Sequence, residues 1–135
     1  MAIIQWNENL SVGIDVFDRQ HKKLIDLINQ LNDAMSVGKG KDVLGKILTE
    51  LINYTQYHFS AEEKLFGQYA YPEAQAHIRE HVNLTQKATD LKKAFDSGKT
   101  IISVQTMDFL KDWLNNHILK TDKKYGPFLN SKGVK

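Results

Sequence analysis

Apolar residues recur every three or four positions along four long stretches of this chain, the period of a helix that buries one face. Only two prolines and eight glycines punctuate the 135 residues. The first stretch runs from about Asp18, which suits an N-cap, to Met35, with Leu24, Ile25, Ile28, Leu31 and Met35 on one side. The second covers roughly 41–66 and is striped by Leu44, Leu48, Leu51, Thr55, His58, Glu62 and Leu65. A turn over 67–71 follows, and Pro72 opens a third helix to about Phe95, with His77, His81, Leu84, Ala88 and Leu91 facing one way. The fourth spans about 103–119 and carries Met107, Leu110, Leu114 and His117. Short connections force neighbours to run antiparallel, so the expected fold is all-α, an antiparallel up-down-up-down four-helix bundle. Trp6, Leu10, Val12 and Ile14 precede it and are too apolar for a free tail, which predicts an ordered N-terminal arm packed along the bundle.

The size suits a single domain over residues 1–135, with the arm at 1–17 and the bundle at about 18–122. With no cysteine, thiolate catalysis, iron–sulfur clusters and cysteine-rich zinc sites are excluded. A net charge of +2 and scattered lysine pairs argue against nucleic acid as a partner, because such proteins concentrate basic charge on one face. No apolar run approaches the roughly 18 residues that a membrane span needs, and the first residues lack a basic segment and signal core. A cytoplasmic protein with no membrane partner is expected.

The chemistry lies in the histidines. Each bundle helix turns about three positions in seven inward, so five randomly placed histidines would all face the core roughly once in seventy trials. His21, His58, His77, His81 and His117 all do so. His58 and Glu62 stand four residues apart, as do His77 and His81, so each pair projects from one face a turn apart. In an antiparallel bundle the start of the first helix, the end of the second, the start of the third and the end of the fourth share one level. Asp122, five residues after His117, falls on a different face of a continuous helix. It can join the site only if the helix ends or distorts just after Leu119. Glu63, Glu73, Glu80 and Asp18 read as helix-end or solvated charges, with Asp18 a possible acceptor behind a ligand histidine.

Seven candidate ligands are too many for one ion, and zinc, which favours four, is badly served. Two octahedral metals offer about twelve positions. The five histidines fill five, Glu62 and Asp122 fill four if each bridges, and a bridging oxygen fills two, which leaves about one position open. Imidazole donors suit iron. The ferritin-like di-iron oxidases use Glu-x-x-His pairs, and no histidine here has a glutamate three residues before it.

The segments W-N-E-N-L-S-V-G-I at 6–14, D-R-Q-H-K-K-L at 18–24, H-F-S-A-E-E at 58–63, H-I-R-E-H at 77–81 and W-L-N-N-H-I-L-K-T-D-K-K-Y at 113–125 resemble the bacteriohemerythrins, the bacterial branch of the hemerythrin family. The resemblance extends over nearly the whole chain and includes all seven ligand positions. It implies a non-haem, oxo- or hydroxo-bridged pair of iron ions, one held by His77, His81 and His117 and the other by His21 and His58, with Glu62 and Asp122 bridging. Leu24, Phe59, Trp113 and Leu114 match the family's oxygen pocket. The implied function is reversible dioxygen binding for transport, storage or delivery, with an oxygen-consuming enzyme as a conceivable recipient, and not catalysis. The alternatives are an oxygen- or redox-sensing module and a di-iron oxidase or peroxidase. Intact release of dioxygen under vacuum separates the binders from the enzyme, and a partner-dependent output separates sensor from carrier.

Overall fold

A computed structural model describes residues 2–135; Met1, the first residue of the expected arm, lies outside them. The order is a short 3-10 turn at Glu8–Leu10, then α1 (Asp15–Ser36), α2 (Lys41–Tyr69), α3 (Ala74–Asp96), α4 (Val104–His117), a π-helical turn (Ile118–Asp122) and α5 (Lys123–Ser131). The first four helices form the antiparallel bundle, α2 packing against both α1 and α3, and α1 against α4. There is no strand among the described residues, and no helix is long and apolar enough to cross a membrane.

Local chemistry fixes the connections. After α1 the chain reverses through Gly38 at φ +74°, and Lys39 N–H returns to the Ala34 carbonyl at 2.9 Å, a Schellman-type stop. Ser103 caps α4, its hydroxyl accepting from Thr106 N–H at 3.3 Å. The second helix outlasts the turn expected at 67–71. It continues to Tyr69 and ends on Ala70 in the left-handed region at φ 53°, so Pro72 lies in the connection and α3 begins at Ala74.

The arm is packed rather than free: Ile4, Leu10, Val12 and Ile14 are buried. Asn29 of α1 ties it down, its Oδ1 accepting from the Ile3 and Ile4 amides at 3.0 and 3.1 Å and its Nδ2 donating to the Ile4 carbonyl at 2.9 Å. Asp18 is neither an N-cap nor a partner of a histidine. The helix begins three residues earlier, and the Asp18 carboxylate accepts from Ser11 Oγ at 2.6 Å and Val12 N–H at 2.8 Å, which pins the arm to α1.

Helix also continues past the π turn, where the sequence suggests an end. Gly126 and Pro127 both lie inside α5. Gly126 serves close approach. A Cβ there would sit 2.2 Å from the Val12 carbonyl oxygen, so only glycine lets α5 seat on the arm. Lys123 Nζ donates to the Asn9 carbonyl at 2.7 Å and Asn130 Nδ2 to the Gly13 carbonyl at 2.9 Å, closing the same contact.

Candidate metal centre

Four helices and the π turn deliver polar side chains to one layer of the bundle. His21 comes from α1, His58 and Glu62 from α2, His77 and His81 from α3, His117 from the end of α4, and Asp122 from the π turn; all seven are buried. Asp122 arrives through the helix distortion that its spacing demands. Lys123 N–H bonds the Ile118 carbonyl, an i to i+5 bond that winds one extra residue into the turn and brings Asp122 round to the side of His117. The distortion begins at Ile118, and the chain stays helical through it.

The donor atoms fall into two groups that share both carboxylates. His77 Nε2 and His117 Nε2 each lie 2.9 Å from Asp122 Oδ1, and His81 Nε2 lies 3.1 Å from Glu62 Oε1. The other oxygens of the same carboxylates face the second group. His21 Nε2 is 3.0 Å from Asp122 Oδ2, and His58 Nε2 is 3.4 Å from Glu62 Oε2. Within each group the ligand atoms lie within 4.8 Å of one another.

These residues fit a pair of metal ions. Two donors about 2.1 Å from one octahedral ion and at right angles are about 3.0 Å apart, close to the spacings of 2.9–3.1 Å found here. The Nε2 atoms of all five histidines, Glu62 Oε1 and both oxygens of Asp122 have no hydrogen-bond partner among the described residues. A buried polar atom left so costs about 1–3 kcal/mol, and cations satisfy the whole set at once. Burial and the Asp122 charge push the Glu62 carboxyl up, but His58 and His81 outweigh them and hold it below the usual carboxylate range. Asp122 is likewise held well down by His117, His21 and His77 against its burial. Burial disfavours a charged His117, yet the carboxylates of Asp122 and Glu80 raise it to about 10. The two acids thus stand as anions ready to ligate.

Behind the histidines lies a layer that the sequence does not announce. His81 Nδ1–H donates to Glu63 at 2.8 Å, and His117 Nδ1–H to Glu80 at 2.7 Å. The hydroxyl of Thr121, in the π turn, lies 2.9 Å from both Glu80 oxygens. The hydrogen bond from His117 lowers the Glu80 carboxyl, so it too is an anion. Glu63 and Glu80 are thus only partly the solvated charges their positions suggest: 34% and 39% exposed, each also accepts a histidine N–H. Glu73 is such a charge: it is exposed at the start of α3, its carboxylate 3.3 Å from the Tyr71 hydroxyl. His58 Nδ1–H donates to the neutral Gln20 Oε1 at 2.5 Å. Such acceptors fix ring orientation and aim Nε2 at the metal layer, where a bound cation would take the place of any Nε2 proton. Tyr125 of α5, fully buried, donates its hydroxyl to Glu62 Oε2. Burial, and the charges of Glu62 and Asp122, push its phenol well above the ordinary value and keep it a donor. Gln20 and Glu80 adjoin ligand histidines in sequence, and Glu63 adjoins Glu62. Each except Tyr125 was thus within reach of a search of ligand neighbours.

Leu24, Phe59, Trp113 and Leu114 come together with Leu84 against His58 and His117, lining an apolar pocket. Phe59 stacks on the His81 ring, centroids 3.8 Å apart and planes within 5°. Trp113 Nε1–H donates to the Leu84 carbonyl at 3.1 Å, so the indole's polar atom is satisfied and its apolar face is left to the pocket.

A helical bundle with two histidine groups joined by shared carboxylates defines a class, the non-haem metal-binding bundles. Residues 12–129 match the family described as the hemerythrin HHE cation binding domain. The chain is 36% identical over 132 residues to the bacteriohemerythrin of Methylococcus capsulatus, covering 97% of this chain and 100% of that one. It is 33% identical over 120 residues to a hemerythrin-like protein of Naegleria gruberi, covering 89% of this chain and 88% of that one. A crystal structure of wild-type hemerythrin superposes with a TM-score of 0.88 at 36% identity, over 93% of this chain and 97% of that chain. The chain belongs to the hemerythrin family.

Proposed function

We propose that residues 1–135 form one module that binds dioxygen reversibly at a non-haem, oxo- or hydroxo-bridged di-iron centre, for oxygen transport, storage or delivery, and that it is not an enzyme. The observation that carries this reading is the division of Glu62 and Asp122, each turning one oxygen to a three-histidine group and the other to a two-histidine group. In this reading His77, His81 and His117 hold one iron, His21 and His58 the other, and both carboxylates bridge. When bound, the iron pair supplies two electrons and an exchangeable position for a small neutral ligand.

The protein's own groups do the rest. Glu63 and Glu80 accept the Nδ1 protons of two histidines, which holds those rings in register and makes them better donors. Leu24, Phe59, Trp113 and Leu114, packed against His58 and His117, keep water and protons away from the site, and so slow the loss of dioxygen in reduced form. The uneven count of histidines favours a binder with one exchangeable position, to which a small neutral gas adds without displacing a protein ligand. An oxygen-consuming enzyme would be a natural recipient.

Iron analysis of the purified protein tests the reading. About two irons per chain are expected. Saturation at one metal, or tetrahedral zinc, would contradict it.

A further inference from the structure

Among the described residues, Tyr125 carries the one hydroxyl that donates to a carboxylate of the cluster, and its placement is over-determined. Its hydroxyl meets Glu62 Oε2, the oxygen beside His58, whereas Glu62 Oε1, beside His81, has no hydrogen-bond partner among the described residues. The ring is held edge-on by Phe17 at 5.5 Å and flanked by Phe66 at 5.4 Å. The backbone that carries it is fixed by Gly126 on the Val12 carbonyl and by the clasp of Lys123 and Asn130 to the arm. Core packing alone would be met by phenylalanine. The hydroxyl instead claims one particular oxygen of one particular ligand.

The groups behind the histidines divide in the same sense. On the three-histidine side, His81 and His117 donate to the carboxylates Glu63 and Glu80. On the two-histidine side, His58 donates to a neutral amide, and His21 Nδ1 has no partner among the described residues. Negative charge is thus added behind one group and withheld behind the other, and the Tyr125 hydroxyl withdraws more from the second by sharing the charge of Glu62 Oε2.

We propose that Tyr125 is a positioning residue for reversible oxygen binding: by hydrogen-bonding Glu62 Oε2 it holds the carboxylate across both groups and weakens its donation toward the His21 and His58 side, which favours the ferrous state there. The inference rests on the di-iron reading above. An O–H donor stabilises carboxylate charge in place, and a ferric ion draws on that charge more strongly than a ferrous one. Losing the donor therefore favours oxidation.

The test compares iron-loaded wild type, Tyr125→Phe, and protein carrying 3-fluorotyrosine at position 125 alone, whose hydroxyl is a stronger donor. Anaerobic redox titration followed by visible absorption reads the midpoint potential, and metal analysis and thermal melting are run alongside. In Tyr125→Phe the oxidation equilibrium should shift about tenfold toward ferric, about 59 mV per electron. Spontaneous oxidation in air should quicken, and two irons per chain should remain. The fluorotyrosine protein should shift the opposite way. A purely structural tyrosine would not give shifts of opposite sign. Unchanged potential in the fluorotyrosine protein would overturn the proposal even if Tyr125→Phe failed to fold. Wild type that does not hold two irons would instead overturn the di-iron reading, a separate outcome visible before either variant is titrated.

Discussion

The two halves of this bundle are built on opposite terms. Away from the metal layer, Ile28, Leu31, Leu48, Leu51, Met107 and Leu110 fill the interior, each 2% exposed or less, and their burial is favourable without any ligand. About two turns further along these helices, and on α3 and the π turn beside them, five histidines and two carboxylates face the interior, buried too and mostly without hydrogen-bond partners at their inward atoms among the described residues. The first half supplies the folding free energy, and the second spends part of it to hold donors in place. A hemerythrin-type site can be this polar because the neighbouring half keeps the helices in register.

The contrast is broken most strongly by removing metal. Chelation of iron should lower the unfolding free energy by about 4 kcal/mol relative to protein at a thousandfold excess over its dissociation constant. Hydrogen exchange should quicken around His21, His58, His77 and the π turn while amides near Leu48 and Leu51 stay protected. Equal loss of protection in both halves would show that they are not separable. Leu48→Ala attacks the other half. It should cost about 3 kcal/mol by leaving a cavity, by the same amount with and without iron, and leave iron content unchanged.

Smaller effects sharpen the division within the metal layer. Asp122→Ala should weaken iron retention more than about hundredfold, beyond what loss of a group behind a ligand costs, whereas the exposed Asp108→Ala should not change it. Equal retention in the two variants would remove Asp122 from the ligand set. Glu80→Gln keeps a hydrogen-bond acceptor for His117 but loses the charge, and should weaken iron binding by about tenfold, measured by competition with a chelator. No change would mean that Glu80 acts through orientation alone.

Much of this was legible in the chain, for identifiable reasons. Helical period and the i, i+4 pairs His58–Glu62 and His77–His81 depend on spacing along one helix, which sequence carries directly. Asp122 was legible only conditionally, since its five-residue offset from His117 requires a distortion whose form spacing does not dictate. Glu63 and Glu80 read only as helix-end or solvated charges, and Gln20 does not stand out, because their roles depend on contacts between helices: α2 with α3, α3 with α4, and α1 with α2. Tyr125 lies beyond the fourth helix that the period predicts, and its place depends on α5 seating on the arm, where Gly126 meets the Val12 carbonyl across the molecule.

Reversible binding without net chemistry is read from dioxygen titration of the fully reduced, iron-loaded protein. One dioxygen should be taken up for about every two irons and recovered intact under vacuum. Affinity should stay nearly flat between about pH 6.5 and 8.5, because binding a neutral gas with its protons rearranged inside the site exchanges none with solvent. Hydrogen peroxide in the medium, with affinity changing by about one proton per dioxygen, would contradict the account and mark the protein as an oxidase.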